Sequence, residues 1–125
     1  MTQGLRILVV EDEPNTGQAV QRFLEYRGHE VRVARNASRA IEVAEELSPE
    51  VLVCDWKLAG NGDGVEVAGK VRAMNEIPVI MVTGHSLVQA RNKARESNVD
   101  ITAYRRKPVS LSDLASLIES LEIAN

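Results

Sequence analysis

An α/β fold, with helices on both faces of a parallel sheet, is predicted by three features of this sequence. Short apolar runs rich in Val and Ile alternate with longer stretches of helical periodicity, the pattern of successive βαβ units. The run Val51-Leu52-Val53-Cys54 is apolar at every position, as a central strand covered on each side requires. Four runs end in polar groups: Leu5 to Val10 in Glu11-Asp12-Glu13, Val51 to Cys54 in Asp55, Pro78 to Val82 in Thr83, and Thr102 to Arg106 in Lys107-Pro108. If the runs are parallel strands, those groups line the sheet edge where open α/β folds hold their ligands.

Each element has its own signal. After the first strand, Pro14 stands where a helix can begin, because the first helical turn has no use for the missing N–H. Ala19, Val20, Phe23 and Leu24 then recur at helical spacing until Gly28 closes the helix. His29 to Ala34 reads as a strand, and Asn36 as the N-cap of a helix with the stripe Ala37, Ala40, Ile41, Ala44 and Leu47, stopped by Ser48-Pro49. The strand ending at Asp55 opens into Trp56 to Gly64, where three glycines with Asn61 and Asp63 permit a tight, irregular loop. A helix through Val67, Val71 and Met74 follows, then the strand Val79 to Val82. Leu87 to about Glu96 is helical but has few apolar anchors, and is expected to be the least firmly held helix. After the strand Thr102 to Arg106, Ser110 or Ser112 caps a last helix with the stripe Leu111, Leu114, Leu117, Ile118 and Leu121. The order is five strands and five helices.

At 125 residues, with no repeat or linker-like tract, the chain fits one domain spanning 1–125. A formal charge of -3 gives no basic field, so no direct nucleic-acid contact is expected. Cys54 is the one cysteine, which excludes an internal disulfide, and its apolar neighbours favour a small buried hydrophobe over a reactive thiol. The N-terminus has no signal-peptide pattern, and no run reaches the ~20 apolar residues of a membrane span. The expectation is a soluble, cytoplasmic protein with no membrane contact.

The polar groups at the strand ends suit phosphoryl transfer. A carboxylate such as Asp55 can attack phosphorus if cations offset the charge on the transferred group. Glu11, Asp12 and Asp55 are hard oxygen ligands of the kind Mg²⁺ takes. Lys107 can place a point charge on one phosphoryl oxygen, and the Thr83 hydroxyl can donate to another.

Val9 to Pro14, Asp55, Gly62 to Val67, Thr83-Gly84 and Tyr104 to Pro108, in that order and each at a strand end, closely resemble the receiver domains of two-component response regulators. The resemblance covers essentially the whole chain. It implies a doubly wound, flavodoxin-like sheet of five parallel strands in the order 2-1-3-4-5. Asp55 would accept a phosphoryl group from the phosphohistidine of a sensor histidine kinase or histidine phosphotransfer protein. Mg²⁺ would be held by Glu11, Asp12, Asp55 and the backbone carbonyl of Lys57, and the Lys107-Pro108 bond would be cis. Thr83 and Tyr104 would form a switch that alters the surface of the fourth helix, fifth strand and fifth helix for a downstream protein target. Such a phosphorelay receiver self-dephosphorylates slowly and is not a turnover enzyme.

Two departures and several neighbours matter. Ala59 stands where the family has a proline four residues past the acceptor, and the glycine-rich stretch is one residue longer, so a more flexible loop is expected. Lys57 and His85 occupy the two positions that tune phosphoryl lifetime in the family; Lys57 is expected to prolong it, His85 to be a solvated loop residue. His29 lacks partners at metal spacing, Trp56 is expected to half-cover the acceptor pocket, and Glu13 to be an exposed acid. Arg105 and Arg106 read equally as a solvated edge or as part of a docking face. The alternatives are a receiver cut from a larger regulator or hybrid histidine kinase, an aspartyl-phosphate hydrolase, and a pseudo-receiver that only binds. The hydrolase reading suffers because Glu11-Asp12-Glu13 offers one aspartate where the haloacid-dehalogenase group has two.

Overall fold

The computed structural model describes residues 4–58, 60 and 62–121. Ala59 and Asn61, which carry part of the loop expectation, lie outside the described residues. Strands β1 (Arg6–Val10), β2 (Glu30–Ala34), β3 (Val51–Asp55), β4 (Val79–Thr83) and β5 (Ala103–Arg106) alternate with α1 (Pro14–Tyr26), α2 (Ala37–Leu47), α3 (Gly64–Met74), α4 (Leu87–Glu96) and α5 (Leu111–Ser120). The strands form one parallel sheet in the order β2-β1-β3-β4-β5. Among the described residues no helix is long and apolar enough to cross a membrane.

Period-two alternation divides the sheet between two cores. Ile7, Val9, Val53, Ile80 and Val82 pack under α1 and α5, against Val20, Leu24, Leu114 and Ile118. Leu8, Val10, Leu52, Cys54 and Val79 face the other way, against Val43 and Leu47 of α2 and Val67 and Val71 of α3. Every residue of β3 is buried, which agrees with its central place. Burying a Val, Leu or Ile side chain is worth about 1.5–3 kcal/mol, so helices that insert several are firmly seated. The fourth helix inserts only Ala90 and Ala94 fully, and its hold on the sheet is correspondingly light.

Local chemistry sets the helix starts. Asn36, Asp63, Ser86 and Ser110 each accept from a backbone N–H three residues on, and Ser110 rather than Ser112 caps the last helix. Glu13, expected to be merely exposed, is the N-cap of α1: its carboxylate accepts from the N–H groups of Asn15 and Thr16. Pro14, which cannot donate, follows it at the first helical position.

His29 lies one residue before β2 and is buried. Its Nδ1 accepts from the Leu5 N–H at 3.0 Å, so the proton sits on Nε2 and is donated to Glu119 Oε2 at 2.9 Å. Arg27 also donates to Glu119. This cluster ties the end of α5 to the start of the sheet. Hydrogen bonds from Arg27, then from His29, hold the Glu119 carboxyl below its ordinary range. A depressed carboxylate pKa stabilises the fold above the unfolded value and ceases to do so as pH falls through the folded value. Glu119→Gln is therefore expected to lower the urea midpoint at neutral pH, with the gap from wild type closing in acid; a gap independent of pH would contradict this.

Candidate functional site

Strand register assembles the site. Val10 lies opposite Cys54, so Glu11 emerges level with Asp55. Asp55 lies opposite Val82, placing Thr83 one step further along the next strand. Thr83 lies opposite Arg106, placing Lys107 one step beyond that. The Lys107 N–H donates to the Thr83 carbonyl at 2.9 Å, which continues the sheet pairing to the lysine itself. The Lys107-Pro108 bond is cis, as the resemblance implied.

Carboxylate oxygens of Glu11, Asp12 and Asp55 lie within 4.8 Å of one another. The Lys107 ammonium donates to Glu11 Oε1 at 2.5 Å and to Asp55 Oδ2 at 2.8 Å. Glu11 Oε2 accepts from the Glu13 N–H at 3.1 Å, so both of its oxygens are held. Burial pushes the Glu11 carboxyl above its ordinary range, against the opposing pull of Lys107 and the Glu13 amide. Burial also works against the charge on Lys107, but its bonds to Asp55 and Glu11 outweigh this and its pKa is raised. The Lys107 ammonium thus bridges two of the three clustered acids, with Asp12 beside them. The donors are hard oxygens at a spacing that suits Mg²⁺, which keeps several waters and takes a few carboxylates.

Thr83 is fully buried, and its hydroxyl oxygen accepts from the His85 N–H at 3.0 Å. A polar opening of about 380 Å³ is lined by Asp12, Asp55, Lys57, Gly84, His85 and Lys107. Lys57 pairs through its backbone with Asp63 across the loop. Gly62 has φ +95, which glycine adopts without strain, while Gly64 is required for space: a Cβ there would run into the Asp55 carbonyl. Tyr104 is partly buried at the far side of β4, facing Met81 in register, with the Arg91 guanidinium 5.0 Å over its ring.

Sequence reasoning placed Trp56 half over the acceptor pocket, and that is corrected. The residue is only 5% exposed and packs with Val65, Met81, Ala90 and Ala94, under α4. Small alanines on that helix leave room for the indole, whose N–H has no hydrogen-bond partner among the described residues. The Lys57 ammonium lies 4.2 Å over the Trp56 ring, and the exposed His85 ring meets it edge-on at 6.3 Å. Cys54 is buried, and burial followed by the Asp55 charge pushes its thiol pKa well up, as befits an unreactive core residue. Asp63, as the cap that orients α3, and the Glu119 cluster are contributors that sequence reasoning missed.

A family model of the response regulator receiver domain matches residues 7–119. The transcriptional regulatory protein TrcR of Mycobacterium tuberculosis is 33% identical over 118 residues, which are 94% of this chain and 45% of that protein. This chain thus spans about half the length of such regulators. An uncharacterised 14.6 kDa protein of Leptolyngbya boryana is 33% identical over 94% of this chain and 90% of its own length. Among solved structures, a CheY-like response regulator receiver domain protein from Methanospirillum hungatei JF-1 superposes with a TM-score of 0.83 at 29% identity, covering 94% of this chain and 92% of that one.

Because three carboxylate oxygens cluster within 4.8 Å of one another, Mg²⁺ is expected to raise the unfolding midpoint of the wild type, by about 2.7 kcal/mol of stability at a concentration 100 times its Kd. Asp12→Asn, which removes one of the clustered carboxylates, is expected to respond little to the ion. Equal responses in a calorimetric titration of the two proteins would contradict the assignment.

Proposed function

The chain belongs to the response regulator receiver domain family, and from that premise we propose that it is a Mg²⁺-assisted phosphoryl acceptor of a cytoplasmic two-component phosphorelay, with Asp55 as the residue modified. The observation that carries this reading is the bridging of Glu11 and Asp55 by the Lys107 ammonium, beside Asp12, at a polar opening. The phosphoryl donor is the phosphohistidine of a sensor kinase or phosphotransfer protein, and the receiver acts through contact with a downstream protein.

Asp55 Oδ attacks phosphorus as the bond from phosphorus to the donor's imidazole nitrogen breaks, leaving an acyl phosphate on the carboxylate. Glu11, Asp12 and Asp55, with the Lys57 carbonyl, would hold Mg²⁺, which when bound supplies positive charge to the phosphoryl oxygens. Lys107 already points at Asp55, so its ammonium moves a short way to pair with a second oxygen. The Thr83 hydroxyl reorients from accepting the His85 N–H to donating to a third. As Thr83 is drawn toward the acceptor, Tyr104 turns inward beside β4. The lightly anchored α4, with β5 and α5, then presents a changed surface.

The acyl phosphate persists long enough to act as a signal, which separates this protein from a turnover enzyme. Lys57 lines the opening while its ammonium rests on the Trp56 ring, well placed to pair with the phosphoryl group or to hinder attacking water.

Transfer from candidate histidine kinases is expected to label wild type stoichiometrically with Mg²⁺ and to leave Asp55→Asn unlabelled. Sustained turnover of p-nitrophenyl phosphate would favour the hydrolase reading instead. Failure of beryllofluoride with Mg²⁺ to alter Trp56 fluorescence would favour a pseudo-receiver. The acyl phosphate of Lys57→Ala is expected to hydrolyse faster than that of wild type; an equal or slower rate would refute the role given to that lysine.

A further inference from the structure

The segment from α4 to β5 carries Arg91, Lys93, Arg95, Arg105 and Arg106 against only Glu96 and Asp100, in a chain whose 18 acids exceed its 15 lysines and arginines. None of those five cations takes part in an ion pair among the described residues, whereas Arg6, Arg27, Arg32, Arg39 and Arg72 each reach a carboxylate. Lys93 and Arg95 sit in the last turn of α4, where the helix dipole favours positive charge. The dipole gives no reason for Arg91 in the middle of the helix, nor for Arg105 and Arg106 on an edge strand of the sheet. Arg91 and Arg95, four residues apart, share a helix face and form one rim of a concavity of about 330 Å³. Ala94, Val99, Ile101 and Tyr104 make its apolar floor, and Asp100 stands on the other rim.

We infer that this face receives an acidic segment of a partner protein, with one apolar side chain seated on the floor and carboxylates on Arg91 and Arg95. The inference rests on the proposed switch and adds the chemistry of its target. Unpaired arginines beside an apolar seat fit a carboxylate-bearing peptide, because guanidinium binds carboxylate in a bidentate fork. A second copy fits less well: in a two-fold contact each copy's segment offers only Glu96 and Asp100 to the other's five cations, so most of the positive charge stays unmatched. Nucleic acid fits poorly too, since the chain's overall negative charge repels a phosphate backbone. The Arg91 guanidinium lies on the Tyr104 ring, so inward rotation of that ring removes its seat and frees the arginine for the partner. Phosphorylation thereby becomes a gain in affinity for acidic sequence.

Selection of a displayed random-peptide library on the full chain, with and without Mg²⁺ and beryllofluoride, tests this. The expected binders carry two or more carboxylates flanking an apolar residue, and bind the beryllofluoride-loaded chain more tightly. Affinity of the synthetic consensus peptide is expected to fall about tenfold or more in Arg91→Ala/Arg95→Ala and to weaken with salt. In Tyr104→Ala the peptide still binds, but loading no longer changes its affinity. Binders without excess acid, or binding indifferent to the two arginines, would overturn the inference. So would duplex DNA binding, or dimerisation in the ultracentrifuge, that depends on the same arginines. Labelling of Asp55 by acetyl phosphate in the double variant is expected to match wild type. A chain that takes no label at all would refute the phosphoryl-acceptor reading, while the acidic preference would still be read on the unloaded protein.

Discussion

Lys107 donates to Glu11 and Asp55 at once, and the arrangement of the sheet makes that possible. The three residues come from the ends of β1, β3 and β5, separated by 52 and 96 positions in sequence from the lysine. They meet because parallel pairing in the order β2-β1-β3-β4-β5 brings successive strand ends to one edge in a staggered row. A slip of one residue in any pair would turn the carboxylate or the ammonium to the wrong face of the sheet. The cores on both faces fix that register, so packing far from the site sets its geometry.

The site gives up local stability for readiness. Two buried acids share one ammonium with a third acid beside them, and burial raises the Glu11 carboxyl, so like charges are held close together in this cluster. Close packing holds it together regardless. The contact between Gly64 and the Asp55 carbonyl, and the Asp63 cap, seat α3 directly behind the acceptor. The other flank is looser. Among the described residues α4 buries only alanines fully, Trp56 lies beneath it with no partner for its N–H, and Tyr104 is covered from outside by an arginine. Rigid support on one side and a lightly held helix on the other direct any change at Thr83 toward α4 and β5.

Much of this was legible in the sequence because hydrophobic period and helix punctuation are local signals. The all-apolar β3, the Pro14 helix start and the Asn36 cap are examples. Strand limits differed by one residue where a side chain took over a backbone partner: His29 accepts from Leu5, and Thr102 accepts from Val79, each just outside its strand. Trp56 was misplaced because its burial depends on the small residues of α4, thirty or more positions away. Glu13 is an uncommon capping residue, although Pro14 after it was the available signal. The Glu119 cluster joins α5 to residues ninety positions earlier, and nothing local marks it. Of the site itself, the residue types and their strand-end positions were readable; the sharing of Lys107 between two acids required the tertiary fold.

The most direct test of this account is a crystal structure of the chain with Mg²⁺ and beryllofluoride. The account predicts the fluoride complex on Asp55, the metal among Glu11, Asp12 and Asp55, and the Lys107 ammonium moved from its carboxylate bridge onto a fluorine. A complex formed on another residue, or Lys107 still bridging Glu11 and Asp55 with no contact to fluoride, would contradict it.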